Sequence, residues 1–322
     1  MVETDGSATS VASLDAAPDD VNAVAHRVVH GGARFREPVL IDDEVVRDLQ
    51  GAVELAPLHN APALEAIEQA RAALPDLPHV AVFDSAFHAT IPSEAATYAL
   101  PARAREDWGI HRYGFHGLSV QWASEQVRAP RLVVCHLGGG CSVTAVRDGR
   151  SVDTTMGFTP LEGVPMATRA GSVDPGALLY MLEHHLSREE LDAMLEHESG
   201  LLGLSGLSGD VRELEASDAD GPRLALAVFT YRIALAVGAM AAALNGLDAL
   251  VFTAGVGEHS AEVRRAVCER LGHLGVALDE EVNETATPDA TVSVPESSAR
   301  VVVVLAREDI IAARATRRLL SP

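Results

Sequence analysis

Short apolar runs, each closing on glycine, aspartate or histidine, set the pattern of this chain. Val21 to Val29 leads to His30-Gly31-Gly32, Val80 to Phe83 leads to Asp84, and Leu132 to Cys135 leads to His136 and Gly138-Gly139-Gly140. Ala249 to Thr253 runs into Ala254-Gly255-Val256-Gly257-Glu258, and Arg300 to Leu305 into Arg307-Glu308-Asp309. Continuous apolar runs of this length predict strands covered on both faces. Ser142 to Arg147 and Arg150 to Thr155 predict a hairpin turning at Asp148-Gly149. Between the runs, helical spacing predicts helices over 42–55, 62–74, 175–185, 188–196 and 223–245, one after Glu258 reaching Leu271, and a closing helix, with a loop over 56–60. Strand, polar loop, helix in repeated succession marks an α/β protein. In open α/β sheets, sites lie beyond the carboxyl ends of strands, where Asp84, His136, Gly255 and Glu308 all fall.

Composition narrows the picture. With 322 residues, 48% hydrophobic content and a mean hydropathy of +0.12, the chain can bury the cores of two domains. No uninterrupted run of about 18 apolar residues occurs. The longest apolar stretch, Leu224 to Leu244, contains Arg232 and many small residues and suits a buried or interface helix. Residues 1–20 are acidic and polar, without a basic start or apolar centre, so they predict a flexible arm, no signal peptide and a cytoplasmic protein. A net charge of −21 disfavours nucleic acid and anionic membranes as partners. Cys135, Cys141 and Cys268 are too scattered for a disulfide framework or a zinc site.

Every one of the 25 basic residues is arginine, and no lysine is present. That excludes a lysine-bearing phosphate loop and any Schiff-base chemistry. Phosphate handling would fall to arginine, backbone amides and metal. Arg27, in His26-Arg27-Val28-Val29-His30-Gly31-Gly32, and Arg169, in Ala167-Thr168-Arg169-Ala170-Gly171, sit in uncluttered, glycine-rich settings. Planar, permanent cations there suit the equatorial oxygens of a transferring phosphoryl group. The plainer alternative is an ion pair with one of 46 carboxylates. Asp84 could hold Mg²⁺, orient an attacking carboxylate, or cap a helix. His116, between small residues in Tyr113-Gly114-Phe115-His116-Gly117, could donate to a transition-state oxygen or serve the fold. Three glycine loops, at 136–142, 205–210 and 254–258, are candidate phosphate cradles, because glycine lets backbone N–H groups approach an anion.

Taken together these segments resemble the acetate kinase family, within the acetate and sugar kinase/Hsp70/actin superfamily. The runs that carry the resemblance are HRVVHGG (26–32), ELAPLHN (54–60), VFDSAFH (82–88), RYGFHG (112–117), DTTMGFTPLEG (153–163), SGLLGLSGLSGDVREL (199–214) and LVFTAGVGEHS (250–260), in family order over nearly the whole chain. The resemblance implies a two-domain actin-like ATPase (ribonuclease H-like) α/β fold with mixed sheets flanked by helices. It implies an amino-terminal domain over 21–88 plus 309–322, a carboxy-terminal domain over 89–308, and a homodimer. It also implies transfer of phosphoryl between ATP/ADP and acetate/acetyl phosphate with Mg²⁺ or Mn²⁺. On the matching positions it makes Arg27 and Arg169 the arginines on carboxylate and phosphoryl, His116 the transition-state histidine, Asp84 the catalytic aspartate, and Glu308 the metal-associated glutamate. Val29, Leu58, Phe115 and Pro160 would hold the acetate methyl. His136, Gly138, Gly139, Gly140, Asp210, Arg212, Gly255, Gly257 and Glu258 would meet the nucleotide.

The sequence departs from the family pattern in identifiable places. Nothing here matches the opening NAGSSSLK strand, so the first strands of the amino-terminal domain are expected to be missing. Gly139 stands where the family has asparagine in HLGNG, His259 where it has the asparagine of GEN, and Arg307 where asparagine usually precedes the glutamate. A catalytically impaired paralogue that binds nucleotide or serves as a dimer partner is one alternative reading. A propionate or butyrate kinase is another, since one methylene changes discrimination by only about 1–3 kcal/mol.

Overall fold

The computed structural model describes residues 1–3, 7, 9, 20–51, 53 and 57–321, with 57–59 described by backbone alone. Most of the arm expected over 1–20 therefore lies outside the described residues. Two sheets organise the rest. The smaller contains β1 (Val24–Val28), β2 (Val39–Leu40) and β3 (His79–Phe83) in the order β1-β3-β2, with β1 parallel and β2 antiparallel to β3. The larger contains β4 (Arg131–Leu137), β5 (Cys141–Arg147), β6 (Arg150–Thr154), β7 (Ala249–Thr253), β8 (Ala290–Thr291) and β9 (Arg300–Val303). Its order is β6-β5-β4-β7-β9-β8, an antiparallel meander joined to a parallel centre. Among the described strands, β1 pairs on one side only.

The apolar runs are continuous because both faces of the larger sheet are covered. Leu250 and Phe252 of β7 join one core cluster, while Ala249 and Val251 join another on the opposite face. The first face receives the helix Asp220–Leu244, which buries Ala225, Phe229, Ile233, Val237 and Ala241, a row spaced four apart along one side. Asn245 ends this helix in the left-handed conformation at φ 57°. By length and apolarity it could cross a membrane, but the buried row belongs to the core, as its interrupted pattern predicted. The second face receives the helix Gly117–Gln126 through Val120 and Ala123.

That helix also joins the sheets. Leu118 packs on Val80 and Val82 of β3 together with Ile311 from the closing helix Glu308–Leu320. On its other face the smaller sheet packs Val28, Ala81 and Phe83 against Phe35, Leu49, Leu64 and Ile67, with the Phe35 and Phe83 rings stacked at 5.1 Å.

The loop expected over 56–60 is instead the start of the helix Pro57–Ala73, and the predicted start at Pro62 falls inside it. Proline suits the first helical position, where its missing N–H costs nothing, so Pro57 starts this helix as well as Pro62 could have. Further along, Asn60 is tied to His30 across the fold, its side chain accepting from His30 N–H at 3.1 Å and donating to His30 C=O at 3.0 Å. The helix expected after Glu258 begins at Ser260, whose hydroxyl accepts from Val263 N–H at 3.0 Å and caps Ala261–Cys268; a 3-10 helix, Glu269–Leu274, carries it past Leu271, and the glycine loop expected over 254–258 is itself a short helix, Ala254–His259. Replacing Leu118 by alanine, at the junction of the sheets, should lower unfolding free energy by about 2–5 kcal/mol. Replacing exposed Leu100 by alanine should change it by less than about 0.5 kcal/mol; urea unfolding of the two variants checks the contrast.

Candidate active site

Because β1 and β3 run parallel in register, Val28 beside Phe83, their carboxyl ends meet and bring Arg27 against Asp84. Arg27 Nε donates to Asp84 Oδ1 at 2.8 Å and Nη2 to Oδ2 at 2.7 Å, a planar two-point pair, while Nη1 lies 2.9 Å from Glu308 Oε2. Asp84 is only 1% exposed. Burial opposes the charge on Arg27, but the two carboxylates outweigh it and hold its pKa above the ordinary value. Glu308, the first residue of the closing helix, has its carboxyl pushed up to about 6, chiefly by burial, with Arg27 opposing and Asp84 adding.

The main chain of Asp84 carries the next part of the site. Gly117 N–H donates to Asp84 C=O at 2.9 Å, and a Cβ on Gly117 would come within 2.1 Å of that oxygen, so only glycine fits. His116, turned to φ 59° just before the helix, presents its ring above His136, with the two rings stacked at 4.0 Å. His116 Nδ1 is 3.1 Å from Ser142 Oγ, and His136 Nδ1 is 2.8 Å from Ser119 Oγ. Burial first, then His116 and Arg27, hold the His136 pKa well below its ordinary value, so the ring is neutral. At Gly140 the second arginine arrives: a Cβ there would lie 3.1 Å from His116 Nε2 and 3.6 Å from Arg169 Nη1. Arg169 Nε is 3.1 Å from Glu196 Oε2, and its Nη1 donates to Pro160 C=O at 3.5 Å.

Of the expected apolar pocket, Phe115 is fully buried, Pro160 is buried and Val29 is half-buried, while the side chain of Leu58 lies outside the described residues. His30 fills the space behind, edge-on to Tyr113, Phe115 and Phe158. Its Nδ1 accepts from Gly32 N–H at 2.9 Å, so Nε2 carries the proton donated to Phe158 C=O at 3.2 Å. Sequence reasoning gave no role to Arg112, Tyr98 or Glu162. Arg112 donates to Thr155 and Met156 C=O at 3.0 Å and to Glu162 at 2.9 Å, and Tyr98 bonds Glu162 and accepts from Phe158 N–H at 2.9 Å. Their signal was present, since Arg112 and Glu162 lie inside matched runs, but only the fold shows that they pin the loop bearing Phe158 and Pro160.

All three glycine loops meet at one cavity of about 610 Å³, lined among others by Gly138, Gly139, Gly209, Asp210, Arg212 and Gly255. Asp210 caps the helix Val211–Glu215 and pairs with Arg212, whose Nε donates at 3.0 Å. The other nucleotide candidates do not line this cavity. His136 lies beneath His116, Gly140 faces His116 and Arg169, and Gly257 packs against the backbone of Phe252 and Cys135. Glu258 is turned inward, accepting from Ala254 N–H and Ala306 N–H, each at 2.8 Å. A second open cavity, of about 570 Å³, lies at the amino-terminal end of β4, at the opposite end of that strand from Gly138.

Among the described residues no group of three or more histidine, cysteine or acidic side chains could hold a metal. Asp84 and Glu308, however, face one cation from two sides. Magnesium needs only one or two protein carboxylates when phosphates and water complete its shell, so this donor set fits it.

A family model described as the Acetokinase family matches residues 8–314. The chain belongs to the acetokinase family. It is 47% identical over 302 residues to an acetate kinase of Nostoc punctiforme, covering 90% of this chain and 74% of that one. It is 44% identical over 313 residues to an acetate kinase of Methanosarcina acetivorans, covering 94% and 77%. Among solved structures, the acetate kinase of Porphyromonas gingivalis matches at a TM-score of 0.88 and 37% identity, over 97% of this chain and 80% of that one. A propionate kinase of Francisella tularensis matches at 0.86 and 39%, over 91% and 78%. The acetokinase fold therefore agrees with the expected α/β class, an actin-like ATPase fold with mixed sheets flanked by helices.

Burial holds the pKa values of His26, His30 and His88 down at about 4, against 6.5 in the unfolded chain. The unfolded chain takes up these protons first, so each histidine's contribution is complete above pH 6.5 and is lost as pH falls towards 4. His88, bonded to Ser151 Oγ and Phe115 C=O at 2.8 Å each, should alone remove about 2 kcal/mol of stability between pH 7 and pH 5. Urea unfolding at both pH values should show His88→Gln with a correspondingly flatter dependence.

Proposed function

We propose that this chain is an acetate kinase, transferring the γ-phosphoryl group of ATP to acetate and releasing ADP and acetyl phosphate, reversibly. One observation carries the reading: the cluster Arg27, Asp84, His116, Arg169 and Glu308 lies at the strand ends beside the cavity formed by the glycine loops. The names of the relatives point the same way. Acetate places its methyl group towards Val29, Phe115 and Pro160 and its carboxylate towards the arginines. A carboxylate oxygen attacks phosphorus in line, the P–O bond to ADP breaks, and the electron pair leaves on the β-phosphate oxygen. Arg27 and Arg169 neutralise the equatorial oxygens, and His116 donates to one of them, its ring held by neutral His136 and Ser142. Asp84 orients Arg27. Glu308 and Asp84 would hold Mg²⁺, which would supply charge neutralisation on the phosphate oxygens. Adenosine occupies the cavity beside Asp210, Arg212 and Gly255.

In the same reading, residues 21–88 plus 309–322 act as the amino-terminal domain and 89–308 as the carboxy-terminal domain, with the site between them. The protein works as a homodimer. Support for the dimer comes from the helix Asp220–Leu244, whose outer face exposes Leu224, Tyr231 and Leu235, and from exposed Leu179, Tyr180 and Leu182 on the helix Pro175–His184.

The purified chain, given ATP, magnesium, acetate and hydroxylamine, should form acetyl hydroxamate; nucleotide binding with no hydroxamate would instead mark an impaired paralogue. Propionate and butyrate in the same assay give a kcat/KM series, and a series rising with chain length would reassign the substrate. Arg169→Ala should lower kcat/KM by about a hundredfold or more, and Arg169→Lys should recover little, because a point charge cannot replace the planar fork.

A further inference from the structure

We propose that Glu258 is a positioning residue that couples the nucleotide cavity to Glu308, a role that rests on the acetate kinase reading of the site. Glu258 is 5% exposed and does not line the cavity. One oxygen, Oε1, accepts two backbone N–H groups from different parts of the fold: Ala254 at 2.8 Å and Ala306 at 2.8 Å. Ala254 opens the short helix Ala254–His259, whose first turn brings Gly255 and Val256 to the cavity, and it does so at φ 65°, which strains a residue with a Cβ. Ala306 stands two residues before Glu308.

The link between β9 and the closing helix has few regular backbone bonds of its own and hangs on side chains. Leu305 N–H donates to Asp289 Oδ1 at 2.8 Å, Leu305 C=O accepts from Trp122 Nε1 at 2.8 Å, and Ala306 N–H goes to Glu258. Glu258 is itself clamped. Arg264, 1% exposed, donates from Nη1 to Gly257 C=O at 3.1 Å and Glu258 C=O at 2.9 Å, and is braced by Asn283 at 2.7 Å and 2.8 Å. A carboxylate here satisfies two buried donors more strongly than a neutral acceptor would. It also fixes the cavity turn and the Glu308 turn relative to one another, so nucleotide seated in the cavity meets Glu308 and Arg27 at a set distance.

Glu258→Met removes the acceptor and keeps the volume, whereas Glu258→Gln keeps an oxygen that can accept both bonds. The Met variant should raise the dissociation constant for ADP, measured by calorimetry, and lower kcat, each by roughly tenfold, with KM for acetate within about twofold. The Gln variant should recover most of both. In a Glu308→Gln background the kcat effect of Glu258→Met should shrink to about twofold or less, because the two residues act as one unit, while the loss of ADP affinity persists. Unchanged ADP affinity in Glu258→Met, or a kcat loss equally large in both backgrounds, overturns the proposal. If circular dichroism shows that the Met variant does not fold, Ala306→Pro deletes one donor and keeps the Ala254 bond. It should lower kcat and spare ADP affinity, and equal loss of both overturns the coupling. A wild-type chain that forms no acetyl hydroxamate would refute the acetate kinase reading alone, since the ADP arm still decides whether Glu258 shapes the cavity.

Discussion

The two-point pair between Arg27 and Asp84, extended to Glu308, is the interaction on which the site depends. It gathers three separate stretches of chain: the strand β1, the turn after β3 and the first residue of the closing helix. Asp84 is buried and would be costly to leave unpaired. Arg27 therefore serves both the fold and the charge balance of the site. A permanently charged, planar cation held between two carboxylates is already oriented before substrate arrives, which is the condition for electrostatic catalysis without reorganisation. The raised carboxyl of Glu308, pushed up by burial, reflects the low-polarity surroundings in which that balance is kept.

Close packing around two glycines transmits this arrangement outward. Gly117 lets the helix Gly117–Gln126 press on the Asp84 carbonyl, which aims His116, and Gly140 leaves room where His116 and Arg169 converge. The same helix carries Leu118 into the smaller sheet and Val120 into the larger one, so the packing that holds the two sheets together also holds His116 in register with Asp84. A lysine-free chain places all its cationic work on arginine. Around the site those arginines divide between Arg27 and Arg169 in the charged cluster, Arg112 on the loop of Phe158 and Pro160, and Arg264 beneath the turn that follows β7.

Much of this was legible in the one-dimensional pattern. The strand at 249–253 coincides with its apolar run, and the hairpin follows from Asp148-Gly149, because strands covered on both faces must be continuously apolar and a tight turn needs its own residues. The lysine count excluded whole classes of chemistry, and the matched runs pointed to Arg27, Asp84, His116 and Arg169. The helix at 117–126 was not legible, because Leu118 packs on one sheet while Val120 and Ala123 pack on the other, so its apolar positions do not fall on a single face. The helix start at Pro57 was missed because Pro57 and Pro62 suit a first turn equally well, and periodicity does not choose between them.

Glu258 marks the boundary between the two kinds of information. From sequence, a glutamate in a glycine-rich turn after a strand is a nucleotide contact. In the fold it faces inward, because the buried N–H groups of Ala254 and Ala306 converge there and need an acceptor. The sequence by itself determined the family, the α/β class and the identity of the charged residues, since these depend on residue type and local spacing. Tertiary structure alone decided which of those residues line a cavity and which face one another. That choice is made by which distant backbone groups burial leaves without a partner.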